Sequence, residues 1–151
     1  MSRSGRIALA CRLLLGAAFV YASLDKIVDP GAFADVVLGY QLLHPKLVTL
    51  VAVVLPWIEL LAGGLLLIGF LSESCALILG GLSVVFGLAV SSALARGLDI
   101  QCGCFSVASG SDPVAWSHLV LDGLLLLLSS AVLKLGPGVF SVDAWLRRRT
   151  P

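Results

Sequence analysis

The sequence predicts an all-α integral membrane protein, a four-helix bundle with short interfacial helices. Three observations carry that expectation. Hydrophobic residues make up 59 % of the 151 residues and charged residues only 13 %, whereas a soluble domain is nearer half apolar and a quarter charged. The mean hydropathy is +1.06. Four apolar runs, at 7–24, 48–71, 75–95 and 116–135, come close to the roughly 20 residues that a helix needs to cross hydrocarbon. They are too long for strands and lack a period of two. The length suits a single domain over 1–151. The net charge of +1 and the lack of a basic patch with interleaved aromatics argue against nucleic-acid binding.

The first run, extending to about residue 25, begins after Arg3 and Arg6, and Val20-Tyr21-Ala22 resembles a cleavage site. Arg12 interrupts it, however, and its length favours an uncleaved span. The segment that follows carries its own helix signal. Asp29 can cap it, Pro30 suits its first position, and Phe33, Val36, Val37 and Tyr40 recur at helical spacing. These features predict a helix on the membrane surface that ends at His44-Pro45. The second and third spans are joined by the tight Ser72-Glu73-Ser74 hairpin. Pro56 predicts a kink in the second span, one turn before Glu59. In the third, Ser83, Gly87, Ser91 and Ala95 lie four apart, the spacing of a close-packing face, with a substrate groove as the alternative. After the fourth span, Gly136-Pro137-Gly138 leads to a tail whose Phe140 and Trp145 suit an interface beside three arginines.

Basic residues assign the orientation. Arg3, Arg6, Lys134 and Arg147 to Arg149 fall on one side of the membrane, and Lys26, Lys46 and Arg96 on the other. The richer side is cytoplasmic, so both termini face the cytoplasm and the 96–115 loop faces outward, across a bacterial inner membrane.

Ionisable groups inside the spans point to a buried polar site. Arg12 and Glu59 reach similar depth if Asp25 and Val48 both mark the outer surface, so an Arg12–Glu59 pair is expected. It serves either as a structural ion pair or as a proton- or quinone-handling site. Asp122 enters the fourth span where it can face Lys26, Arg96 or a ligand's polar head, and His118 lies four residues before it on the same face. Two such groups are too few for a metal site.

Four cysteines divide into two kinds. Cys11 and Cys75 suit apolar packing near the cytoplasmic ends. Cys102 and Cys104 stand in Gln101-Cys102-Gly103-Cys104-Phe105, in the outer loop. A bridge between them encloses one residue and stabilises little through chain entropy. Gly103 permits the sharp turn. An exposed, strained disulfide is readily reduced and suits thiol–disulfide exchange. Metal binding, which would need further ligands, inert thiols in a lipid-facing loop, and bridges to other cysteines are the alternatives.

These residues, in this order, resemble the MauE/DoxX family of small membrane proteins, on its methylamine-utilisation MauE side. The resemblance rests on Arg12 with Leu15-Gly16 and Phe19, and on Asp25-Lys26 followed by Asp29-Pro30. It continues through Leu55-Pro56-Trp57-Ile58-Glu59-Leu60 and Asp99-Ile100-Gln101-Cys102-Gly103-Cys104-Phe105. The family often has glycine after Cys-Phe, where Ser106 stands here. The resemblance implies a four-helix membrane bundle and a link to maturation of periplasmic redox enzymes, notably the disulfide-rich small subunit of methylamine dehydrogenase. DoxX-like relatives imply quinone-linked or oxidative-stress functions, and hence a quinone as cofactor.

The resulting expectation is a membrane thiol–disulfide redox protein or electron-transfer assistant. Cys102 and Cys104 would carry exchange, Arg12, Glu59 and Asp122 would line an internal polar site, and lipid and an extracytoplasmic thioredoxin-like or client redox protein would be its partners. The competing readings are a non-catalytic assembly or scaffold factor, and a small metal or solute transporter.

Overall fold

The computed structural model describes residues 3–98, 116–136, 138 and 141–143. Five helices account for most of them: α1 (Arg3–Val28), α2 (Pro30–Gly39), α3 (Pro45–Ile68), α4 (Ser72–Ala95) and α5 (Trp116–Leu135). All but α2 are long and apolar enough to cross a membrane, so the chain is a multi-pass membrane protein. The Cys102-Gly103-Cys104 motif, the tail aromatics Phe140 and Trp145, and Arg147 to Arg149 lie outside the described residues.

Each helix begins and ends for a local reason. The Asp29 side chain accepts the Ala32 N–H at 2.9 Å and Pro30 opens α2, as the sequence implies. His44 caps α3 in the same manner, its Nδ1 accepting from the Lys46 N–H at 3.4 Å. α3 ends on Gly69, whose φ of +78° is left-handed, and whose N–H reaches back to Leu65 and Leu66. That is the usual glycine stop signal for a helix. α3 continues unbroken through Pro56, whose side chain is buried.

α1 packs most extensively on α3, and α4 on α5, with α1 also against α5. One apolar cluster joins Leu15 and Phe19 of α1, Ala62 and Leu66 of α3, Cys75, Ala76 and Leu79 of α4, and Leu125 and Val132 of α5. The outward sides carry Leu14, Leu61, Leu77, Val85, Leu88 and Leu127, all exposed. Such a surface is compatible with lipid and not with water. Cys75 is buried in the cluster and Cys11 packs against it, which matches their expected packing role.

One packing feature adds to the sequence reading and another changes it. α2 turns its apolar side to protein: Phe33, Val36 and Tyr40 are all buried. Val36 and Tyr40 join Val90 and Ala93 of α4, and Phe33 joins Ala52 of α3. The helix therefore closes one end of the bundle. Arg96 holds it there by donating from its guanidinium to the Tyr40 carbonyl. The four-apart stripe on α4 also fails as a single contact face. Ser83 is buried, but Ser91 and Ala95 are exposed. Four residues turn a helix by about 400°, so the stripe drifts about 40° per step and leaves the interface. The closest approach is made by Gly80, packed directly on the Ser129 side chain, whose hydroxyl donates to the Ala76 carbonyl at 2.6 Å.

Candidate functional site

The buried charges form two groups at opposite ends of the bundle. The register of α1 on α3 decides this. Gly16 and Gly63 lie against each other, and a Cβ on either would meet the other's carbonyl oxygen at about 3 Å. Small residues allow this approach and fix which residues are level. With Gly16 opposite Gly63, Glu59 is level with about Val20, so Arg12 lies about eight residues, or 12 Å, beyond it. The sequence-based pairing placed Asp25 level with Val48, a slip of six residues. The expected Arg12–Glu59 pair does not form.

Glu59 instead pairs with Lys26. The ammonium donates to both carboxylate oxygens, at 2.8 and 3.0 Å, and both residues are essentially inaccessible. Side-chain direction explains the choice. Cα–Cβ bonds tilt toward the helix N-terminus. On antiparallel helices Lys26 therefore leans down the bundle and Glu59 leans up, toward each other, while Arg12 leans away. The rings of Phe33 on α2 and Phe86 on α4 flank the ammonium, with centroids 5.2 and 5.1 Å away. Such contacts favour a desolvated cation.

Asp122 on α5 belongs to the same end. It is only 6 % exposed, feels the Lys26 charge, and its Oδ2 has no hydrogen-bond partner among the described residues. One turn nearer the helix start, His118 is half-buried and its Nε2 likewise has none. Across from Asp122 stands Gly87, where a Cβ would meet only the Asp122 side chain, at 3.8 and 4.0 Å. The carboxylate thus faces a surface without a side chain.

Arg12 belongs to the opposite end. Its guanidinium sits against Gly69 at the α3–α4 turn, under the charge of Asp143. Asp143 in turn accepts the Leu71 and Ser72 N–H groups at 2.9 and 2.8 Å, and its own N–H donates to the Gly69 carbonyl at 3.0 Å. α4 has no side-chain cap of its own, and Leu71 is held at a left-handed φ of +51°. The tail therefore supplies the missing cap, and Arg12 is part of a structural clasp. Of the three polar residues expected in one site, the structure brings Glu59 and Asp122 to one end around Lys26 and leaves Arg12 at the other. Among the described residues no group of three or more His, Cys, Asp and Glu side chains is placed to hold a metal.

The sequence profile of the family described as "Methylamine utilisation protein MauE" matches residues 4–135. The chain belongs to the MauE family. Among curated relatives, the methylamine utilization protein MauE of Paracoccus denitrificans is 32 % identical over 128 residues, covering 82 % of this chain and 68 % of the relative. MauE of Methylophilus methylotrophus is 28 % identical over 134 residues, covering 85 % and 70 %. No solved structure matches. The match to the MauE family spans all four membrane helices and so includes Lys26, Glu59 and Asp122.

Proposed function

We propose that this MauE-family protein is a membrane thiol–disulfide redox protein that assists maturation of extracytoplasmic redox enzymes. The observation that carries the proposal is the Cys102-Gly103-Cys104 motif in the one connection, 99–115, between α4 and α5. That connection starts at Leu98, which packs beside Tyr40 and Val90, and returns at Trp116. Both anchor points belong to the end of the bundle that holds Lys26, Glu59 and Asp122. In this reading that end is extracytoplasmic and both termini are cytoplasmic. Both curated relatives are methylamine utilization proteins, which favours a client in methylamine utilisation.

A Cys102–Cys104 disulfide takes two electrons from a partner dithiol. One partner thiolate attacks a sulfur of the bridge, forming a mixed disulfide and releasing one thiolate of the pair. The second partner thiol then resolves it, leaving the partner oxidised and both Cys102 and Cys104 reduced. Reoxidation needs a two-electron, two-proton acceptor in the membrane, which a quinone would supply. Asp122 and His118, each with an unpartnered polar atom, are the groups that would hold a quinone's headgroup.

Trapping tests the proposal. Cys102→Ser and Cys104→Ser each leave one thiolate, which can attack the bridge of an oxidised partner in the reverse exchange and then has no neighbouring thiol to resolve the mixed disulfide. One of them accumulates a reducible adduct with an extracytoplasmic thioredoxin-like or client protein on a non-reducing gel. Cys11→Ser and Cys75→Ser leave the pattern unchanged. If neither single variant traps a partner and the double variant keeps full function in cells, the motif is not the active centre. The protein is then an assembly factor that holds its client without chemistry.

A further inference from the structure

We propose that Asp122 and His118 form a proton-exchange site, in which Asp122 binds a proton inside the membrane and His118 passes it to and from the α2 end of the bundle. Among the described residues Lys26 is the buried cation at this end of the core, and Glu59 already takes it through both carboxylate oxygens. Asp122 is a second buried carboxyl group beside the same ammonium. One positive and two negative groups leave an uncompensated charge, which is costly in a span unless something binds it.

The surroundings of Asp122 narrow what binds. Among the described residues, the charge that acts on it is Lys26 from α1, which Glu59 from α3 holds, and His118 lies one turn away on its own helix. α4 presents Gly87 and has no titratable residue between Cys75 and Arg96. α2 contributes Phe33, while its Asp29 and Asp35 are exposed. Among the described residues no donor reaches Asp122 Oδ2. A metal cation would require several oxygen or nitrogen ligands, and no such group is assembled among the described residues. A proton requires a single oxygen, and the neutral acid is the form that low polarity favours.

His118 gives that proton a route. It lies four residues before Asp122 on the same face and two residues after the start of α5. It is half-buried, with an unpartnered Nε2 on the inner side. An imidazole takes a proton on one nitrogen as it releases the one on the other, so its net charge is restored after each transfer. Asp122 gains the proton as COO⁻ becomes COOH, and returns it by the reverse path. Dithiol oxidation at 99–115 would release two protons near this entrance, but the assignment rests on the charges of the core alone.

Infrared spectroscopy of the purified protein in lipid nanodiscs tests the proposal. Between pH 8 and pH 5 the wild type should develop the C=O stretch of a protonated carboxylic acid that shifts in D₂O. Asp122→Asn removes that band, and the Cys102→Ser/Cys104→Ser protein keeps it, so its fate is separate from that of the thiol chemistry. His118→Phe should keep the band but slow its H/D shift about 100-fold, the low end of what a positioned acid–base group contributes. If Asp122→Asn does not fold, wild type labelled with ¹³C-carboxyl aspartate reads the same band, with Glu59 silent. Absence of a labelled COOH band overturns the proton site, as does a band that survives Asp122→Asn. Sodium or potassium retained by wild type and lost in Asp122→Asn would make the occupant a cation instead. An unchanged H/D rate in His118→Phe removes the relay.

Discussion

Breaking the Lys26–Glu59 pair should be asymmetric in a way that tests the whole site. Lys26→Met leaves Glu59 buried with no cation, and Glu59→Gln leaves Lys26 with a neutral partner. Each residue is nearly inaccessible, at 1 % and 0 % side-chain exposure, so water cannot compensate. Removing one partner of such a pair costs about 3–5 kcal/mol. Lys26→Met also loses the two ring contacts, at about 0.5–2 kcal/mol each, and should be the worse of the two. The double variant Lys26→Met/Glu59→Leu removes both charges and keeps the volume, and it should recover most of the loss. Denaturation in mixed micelles, followed by helical circular dichroism, compares the wild type, Lys26→Met, Glu59→Leu and the double variant as the four corners of the cycle. The same experiment on Arg12→Met and Glu59→Gln should give additive losses, within about 0.5 kcal/mol, because those side chains share no partner. Strong coupling between Arg12 and Glu59, or single-variant losses below about 1 kcal/mol, would refute the register and the pairing derived from it.

Two further outcomes follow from the packing. Asp143→Ala removes the cap from α4, where it accepts two backbone N–H groups. Loss of the cap alone should cost about 1–2 kcal/mol, and the total should exceed that because buried Arg12 also loses its counter-charge, in thermal unfolding monitored by circular dichroism. Gly80→Ala drives a methyl group into the Ser129 side chain and should cost about 1–3 kcal/mol. Ser129→Ala in the same chain should restore part of it, although the Ser129 Cβ still lies 3.2 Å from the new atom.

Much of the bundle was legible in the sequence because its causes are local. Apolar run length fixes the spans, and Asp29-Pro30 fixes the start of α2. The Gly69 turn shows what was not. The sequence placed the second span's end at residue 71, and the helix stops at Ile68 because Gly69 takes a left-handed φ and frees the turn. Cys11 and Cys75 needed no tertiary information, since small apolar side chains near span ends pack in either register.

The sequence by itself determined the composition of the polar site. Buried carboxylates in apolar helices must find compensation wherever the bundle places them, so Glu59 and Asp122 were marked by chemistry alone. The partners were decided by tertiary structure. The contact of Gly16 with Gly63 sets the sliding register of α1 on α3, and no local rule measures a slip of six residues between two uniformly apolar helices. That register, with the tilt of side chains toward each helix's start, gives Glu59 to Lys26. It leaves Arg12 to Asp143, 131 residues away in the chain, because a charge buried in a membrane is satisfied by whichever opposite group the packing brings within reach.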